Sequence, residues 1–199
     1  MKNITLFLTI CLITISFSGF SQSDVPSDWC GTQFTEEMMD KVQSATERHM
    51  NGTLTKSQPI YDIPMTLHNM RNTNGTGGVD PLTTLEVFCD VIEFYAQHDI
   101  NLYIHEMKTW NNTNWTEDDA IGTIKLITAE DNTINIYNFK ELFNAQGEGL
   151  CGYFTQQHDV LALAGSSSCY TKETIIHEIG HYFALPHTFF GFEGTGSNC

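Results

Sequence analysis

The spacing of apolar residues along the chain predicts strands interspersed with helices. Strand-like runs occupy residues 60–70, 100–104, 121–128, 133–139, 152–155 and 160–164. In the second run apolar and polar residues alternate, which is typical of a half-buried strand. The last run is continuously apolar, as expected of a central strand.

Two further stretches carry apolar residues at helical spacing. Asp80 and Pro81 are a favourable N-cap and first helical residue. The apolar stripe that follows them consists of Leu85, Phe88, Ile92 and Tyr95. Residues 171–185 are predicted to form the second main helix. The pattern therefore predicts an α+β fold, with a twisted, mostly parallel sheet of about five strands and both helices on one side.

The chain begins with a targeting segment. Lys2, an apolar run over residues 4–17 and small residues up to Ser21 are typical of a secretory signal peptide, with cleavage after about Ser21. We therefore expect an extracellular protein. Since no other stretch is long and apolar enough to span a bilayer, we expect no membrane anchor.

The expected domain organisation has three parts. Residues 1–21 are the signal peptide, residues 22–57 a pro-segment or N-terminal extension, and residues 58–199 the main folded domain. The second part is polar and contains one helix candidate, residues 35–49, for which Thr35 is a suitable cap.

The charge balance excludes one large class of partner. The chain has 24 acidic and 9 basic residues, a formal net charge of −15. Because an acidic surface repels phosphate backbones, we expect no nucleic-acid binding. The hydrophobic content of 41% is enough for a buried core, so the prediction is a folded protein.

Five cysteines remain after the predicted cleavage: Cys30, Cys89, Cys151, Cys169 and Cys199. An exported chain meets an oxidising environment, which favours disulfides. Because the number of cysteines is odd, at least one of them has another role. Cys151 and Cys169 flank two short strands and are candidates for a disulfide. Cys89 lies in the apolar helix, where we expect a buried thiol.

A histidine pair on the second helix carries the candidate chemistry. His177 and His181 are four residues apart, so they lie on one helix face, one turn apart, and can share a zinc ion. Glu178 lies beside the metal, where it is placed to accept a proton from zinc-activated water and pass it to a leaving amine.

A third histidine completes the predicted ligand set. Pro186 disfavours helical conformation at Leu185, so the helix is expected to end there and the chain to bring His187 to the metal. Three protein ligands leave a fourth position for water, as in catalytic zinc sites.

Residues 177–189 resemble the signature of the metzincin zinc proteases. The trailing His187-Thr188-Phe189 is similar to the pappalysin (cytophagalysin) family. The resemblance implies that residues 58–199 are the N-terminal part of a zinc endopeptidase catalytic domain, with Glu178 as general base. It also implies that an edge strand near residues 152–154 binds an extended peptide substrate.

The sequence departs from that family pattern at two points. Ala184 stands where the signature usually has glycine, at a sharp turn. In addition, no methionine-containing turn follows His187 before the sequence ends. We therefore expect a longer enzyme, whose lower subdomain and any Ca²⁺ site of the family are missing from these 199 residues.

Cys30-Gly31-Thr32 resembles the start of the family's pro-segment. A cysteine there can cap zinc and hold a zymogen latent, because a thiolate displaces the catalytic water. The alternative is an ordinary disulfide. The remaining histidines lack metal-ligand spacing and are expected to be surface or hydrogen-bonded structural residues; they are His49, His68, His98, His105 and His158.

The leading hypothesis is a secreted zinc endopeptidase that acts on protein or peptide substrates. One alternative is a secreted, non-catalytic binding module that retains a zinc site for stability. Another is an inactive fragment of a longer protease. The sequence does not indicate an oligomeric state or a cleavage preference.

Overall fold

A computed structural model describes residues 30–33, 35–52, 62–117 and 120–187 of the chain. The predicted signal peptide and the sequence after His187 lie outside these ranges. The described part of the structure does not include the side chain of His49.

Four α-helices and seven strands make up the described chain. The helices are α1 (Glu36–Met50), α2 (Pro81–Ala96), α3 (Ile121–Thr128) and α4 (Lys172–Tyr182). The strands are β1 (Asp62–Arg71), β2 (Asn101–Asn111), β3 (Ile134–Phe139), β4 (Leu142–Phe143), β5 (Gly149–Leu150), β6 (Gly152–Thr155) and β7 (Val160–Ala164). A short 3₁₀-helix spans Thr113–Trp115.

Five of the strands form one sheet in the order β2-β1-β3-β7-β6. Strands β2, β1, β3 and β7 are parallel, and β6 pairs antiparallel with β7 at one edge. Strands β4 and β5 form a separate small antiparallel pair. The predicted α+β class and the mostly parallel five-stranded sheet are therefore confirmed.

The sheet has a hydrophobic core on each face. On one face, Leu67 and Ile136 pack with α2 and α4. On the other, Tyr137 and Phe139 pack with Ile124 of α3. The prediction that the two main helices lie on one side of the sheet is confirmed for α2 and α4, while α3, which was not predicted as a helix, covers the opposite face.

Residues 121–128 were predicted as a strand and form helix α3 instead. Ile124 and Thr128 are buried four residues apart, which is one helical turn, while Leu126 and Ile127 are exposed. Strand β2 lies on one side of β1 and β3 on the other, so the two crossovers run in opposite directions along the sheet. Right-handed crossovers in opposite directions place their helices on opposite faces.

The N-terminal part of the described chain packs on the domain. The predicted cap of α1 is present, since Thr35 Oγ1 accepts a hydrogen bond from the backbone N–H of Met38 at 3.2 Å. Met38 itself is buried in the core shared by α2 and α4. Helix α1 is therefore joined to the domain by an apolar contact.

The cysteines divide into distinct environments. The predicted disulfide between Cys151 and Cys169 is present, and it links the start of β6 to the loop before α4. Cys89 is exposed on α2, so its predicted burial is wrong. The apolar stripe of α2 faces the sheet through Phe88, Val91 and Tyr95, and Cys89 lies on the opposite side of the helix.

Within the described residues, no helix combines the length and apolar character needed to cross a membrane.

Candidate metal centre

Helix α4 is fixed at its start and along its length. Thr171 is the N-cap, and its side chain accepts a hydrogen bond from the N–H of Thr174 at 3.3 Å. Ile175 and Ile179 are fully buried against the sheet. The hydroxyl of Tyr95 on α2 donates to the carbonyl of Ile176 at 2.8 Å. These contacts orient the opposite face of α4.

Helix α4 ends at Tyr182, three residues before the predicted end at Leu185. Ala184 adopts a left-handed conformation with φ of 61°. The N–H of Leu185 then donates to the carbonyl of Gly180 at 2.9 Å, and the N–H of Ala184 to that of His181 at 2.8 Å. This is the Schellman pattern of helix termination, in which a left-handed residue reverses the chain.

The turn brings the three predicted metal ligands together. His181 Nε2 lies 2.9 Å from His177 Nε2 and 3.0 Å from His187 Nε2, and the other pair is 3.1 Å apart. Tetrahedral zinc with Zn–N bonds of about 2.0–2.1 Å separates its nitrogen ligands by about 3.3 Å. The three nitrogens therefore have nearly the spacing that one metal ion requires.

The protonation of His181 suits metal binding. Its Nδ1 lies 2.8 Å from the carbonyl of Leu185, so this nitrogen carries the proton and Nε2 keeps its lone pair. Burial lowers the pKa of His181 to about 3, and the neighbouring His177 and His187 act in the same direction. The imidazole is consequently neutral at physiological pH.

Cys30 lies at the same centre although it is 151 residues away from His181 in sequence. Its Sγ is 3.4 Å from His181 Nε2 and 3.4 Å from the backbone N–H of Thr32. The ligand atoms of Cys30 and the three histidines all lie within 4.8 Å of one another. This is a His/Cys group that can hold a metal ion.

Glu178 is enclosed beside the histidine cluster. It is only 1% exposed. The hydroxyl of Thr32 donates to Glu178 Oε2 at 3.1 Å. On another side, a Cβ added to Gly152 would lie 2.8 Å from Glu178 Cγ, so only glycine leaves space for this side chain. The carboxylate is thus held between β6 and the segment Cys30-Gly31-Thr32.

That segment, here called the N-terminal strap (residues 30–32), pairs with the edge strand β6. Cys30 and Gly152 form a parallel bridge, and the N–H of Gly31 donates to the carbonyl of Gly152 at 2.9 Å. The N–H of Phe154 donates to Thr32 Oγ1 at 2.8 Å. The strap therefore occupies hydrogen-bonding groups on the edge where the family resemblance places substrate.

Sequence reasoning identified the histidines, Glu178 and Cys30 but missed Thr32 and Gly152. Nothing in the spacing of these two residues points to Glu178, since Thr32 is 146 residues from it. The only signal was the likeness of the strap to a pro-segment, and it singled out the cysteine. Both contacts depend on how β6 and α4 are packed.

Four of the other predicted structural histidines have described side chains, and none of the four belongs to this group. His68 is buried and hydrogen-bonded, as predicted, with its Nε2 2.9 Å from Asn135 Oδ1. His105 and His98 are exposed, and His158 is partly buried against Gly122.

No protein-family model matches this chain, and a search of curated proteins found no match.

Proposed function

We propose that this chain is a secreted zinc-dependent endopeptidase, and that the described arrangement is its latent form. The single observation that carries the proposal is the convergence of three imidazole Nε2 atoms beside a buried glutamate. Imidazole nitrogen and thiolate sulfur are donors that zinc prefers. A site built only for stability has no need of a carboxylate beside its ligands.

In this proposal His177, His181 and His187 hold the metal. When bound there, zinc polarises the scissile carbonyl and lowers the pKa of a water molecule to about 7. The carboxylate of Glu178 takes a proton from the attacking water and returns it to the leaving amine. Hydrolysis then proceeds without an acyl-enzyme intermediate.

The edge of β6 is the proposed binding surface for an extended peptide. The carbonyl of Gly152 and the N–H of Phe154 are the backbone groups that the strap now engages. A substrate strand would use the same groups by strand addition. The strap and a substrate therefore compete for one edge.

Latency follows from the position of Cys30. A thiolate ligand at the metal occupies the position that water needs, so the enzyme is inactive until the strap leaves. This extends the latency alternative for Cys30 and disfavours the ordinary disulfide.

A second candidate function is a binding module with a structural zinc site. The observation that favours it is a candidate fourth ligand, because four protein ligands leave no position for water, as in structural zinc sites. The two functions differ in whether displacing Cys30 uncovers a reaction that depends on Glu178.

The test compares Cys30→Ala with Cys30→Ala/Glu178→Gln in the full-length secreted protein. We expect about one zinc per chain in both, by elemental analysis. Casein hydrolysis by the double variant should be about 100- to 10,000-fold slower, the usual contribution of a general base. The matched control is Cys30→Ala/Glu173→Gln, which changes an exposed glutamate on the same helix. It should hydrolyse casein as fast as Cys30→Ala does.

The outcomes separate the two functions. Zinc binding without hydrolysis in Cys30→Ala, and also in Cys30→Ala/Thr32→Val, which removes the hydrogen bond between Thr32 and Glu178, would support the structural-zinc module. Equal hydrolysis with and without Glu178 would contradict the mechanism proposed for this residue.

A further inference from the structure

The strap makes two separate contacts with the candidate centre, and only one of them involves sulfur. The thiol of Cys30 lies among the histidines, while the hydroxyl of Thr32 binds Glu178. We propose that Thr32 is a second restraint, which holds the strap on the carboxylate of the general base independently of the metal. The inference rests on the proposed function for its consequence, but not for its geometry.

The hydrogen-bond donors and acceptors at Thr32 fit this role. A hydroxyl has one proton to donate, and the N–H of Phe154 already donates to its oxygen at 2.8 Å. The hydroxyl proton is therefore directed to Glu178 Oε2, at 3.1 Å. This gives a hydrogen bond to a charged acceptor, which is stronger than one between neutral groups.

The hydrogen bond between Thr32 and Glu178 is buried, which closes the carboxylate to solvent. Thr32 is 3% exposed and Glu178 1% exposed, so neither group can exchange its partner for bulk water while the strap is in place. A general base enclosed in this way cannot reach an incoming water molecule. The Thr32 contact thus blocks Glu178 even when nothing ties Cys30 to the metal.

The strap is also shaped to deliver both groups together. A Cβ on Gly31 would lie 3.2 Å from Tyr153 Cβ on β6 and 2.6 Å from the movable end of the Leu150 side chain, so glycine favours this close approach. The backbone N–H of Thr32 points to Cys30 Sγ. Within three consecutive residues, the strap therefore places the Cys30 sulfur at the histidines and the Thr32 hydroxyl at the Glu178 carboxylate.

The consequence is a latent state with two restraints. Releasing the thiol alone, by substitution or by losing the metal, leaves the strap held by Thr32. Removing the hydroxyl alone leaves the thiol at the metal. Full exposure of Glu178 requires that both contacts be broken.

The test measures how fast iodoacetamide alkylates Cys30 in the full chain after zinc removal with a chelator. Without metal, the rate reports how often the strap leaves β6. Thr32→Val loses the hydrogen bond to Glu178 and also the acceptor for the Phe154 N–H, and it should be alkylated at least about 10- to 100-fold faster than wild type, the ratio expected for the charged hydrogen bond by itself. Thr32→Ser keeps the hydroxyl and should restore the slow rate.

Two controls identify the partner and the fold. Glu178→Gln replaces the charged acceptor of the Thr32 hydroxyl with a neutral one and should also speed alkylation. The Thr32→Val/Glu178→Gln double variant should be no faster than Thr32→Val alone, because Thr32→Val already lacks the hydrogen bond to residue 178. Exposed Cys89 is an internal reference that reports general unfolding. Thr109→Val changes an exposed threonine on β2 and should leave the rate unchanged.

The results that would overturn the proposal are specific. A wild-type rate in Thr32→Val, or rate increases for Thr32 and Glu178 that multiply, would show that the two residues do not act as one restraint. A fast rate in Thr32→Ser would show that the hydroxyl is not the relevant group.

Peptide hydrolysis is measured separately, in the zinc-loaded Cys30→Ala background. Adding Thr32→Val should raise turnover of a quenched fluorescent peptide about 10- to 100-fold. If the alkylation result holds and no variant hydrolyses peptide, the restraint stands and the peptidase proposal fails. If hydrolysis depends on Glu178 but Thr32→Val leaves the alkylation rate unchanged, the peptidase proposal stands and the proposed restraint by Thr32 fails.

Discussion

At the scale of single residues, the backbone of Ala184 decides whether the third histidine reaches the others. The usual glycine of the resembled signature suits a left-handed turn, and Ala184 adopts that turn with φ of 61°. The Leu185 N–H and the Gly180 carbonyl hold the reversal in place. Alanine in place of the usual glycine therefore changes the energy of the turn but not its backbone conformation.

We predict that Ala184→Gly stabilises the protein by about 1 kcal/mol, since alanine in the left-handed region costs about that much. Urea unfolding of the zinc-loaded chain measures it. Ala129→Gly is the control, because Ala129 has an ordinary φ of −61° and glycine there should destabilise slightly through the unfolded state. Equal effects of the two substitutions would argue against strain at Ala184.

At the scale of secondary-structure elements, the sheet is stabilised on its second face by a buried polar group. The Trp110 indole N–H on β2 donates to His68 Nδ1 at 3.2 Å, so Nε2 carries the proton and donates to Asn135 on β3. The ring of Tyr137 stacks on His68 with centroids 4.3 Å apart. This network joins the three neighbouring strands β2, β1 and β3.

Protonation of His68 should weaken the fold. Burial lowers the pKa of this histidine to about 4, and the hydrogen bond with Asn135 opposes the change only in part. Lys108 also lowers it, whereas Glu106 and Glu130 raise it. The unfolded chain binds a proton near pH 6.5 and the folded chain does not, so stability is complete above that pH and falls toward pH 4.

We therefore predict that the free energy of unfolding falls by about 3 kcal/mol between pH 6.5 and 4 because of His68. His68→Gln should lose this part of the pH dependence, and exposed His105→Gln should keep it. Denaturant titrations at several pH values measure both. An NMR titration of the His68 ring in the wild type checks the midpoint even where a variant unfolds.

The Cys151–Cys169 disulfide also acts between elements. It closes a loop of 18 residues that contains β6 and β7 and ends just before α4. We predict that Cys151→Ala/Cys169→Ala lowers the free energy of unfolding by about 2–4 kcal/mol, as expected for a loop of this length. Cys89→Ala, at an exposed position, is the control and should stay within about 0.5 kcal/mol.

At the scale of the whole molecule, the candidate metal centre joins distant parts of the chain. Cys30 precedes α1, while the histidines lie on α4 and in the turn after it. A metal bound to these four residues holds the native arrangement and has no equivalent site in the unfolded chain. Binding of a metal ion at this centre would therefore be coupled to folding.

We predict that the unfolding free energy rises with free zinc, by about 2.7 kcal/mol when zinc is 100 times its dissociation constant. Thermal unfolding with a zinc buffer and with a chelator measures the shift. His177→Ala should abolish it, whereas exposed His105→Ala should not. A zinc-independent midpoint in the wild type would count against a metal centre.

The sequence by itself determined the features that are local. Helical periodicity placed His177 and His181 on one face, Asp80 capped α2 as expected from its position, and apolar runs located most strands of the sheet. Each of these depends on residues a few positions apart, and their interactions are set by backbone geometry.

Only the tertiary structure decided which distant segments meet. The order of the strands, together with right-handed crossovers, decides that residues 121–128 cover the second face of the sheet, where the helix buries Ile124. In the same way, Thr32 reaches Glu178 because β6 forms the antiparallel edge beside α4. Contacts across 146 residues leave no periodicity in the sequence, since packing alone brings them together.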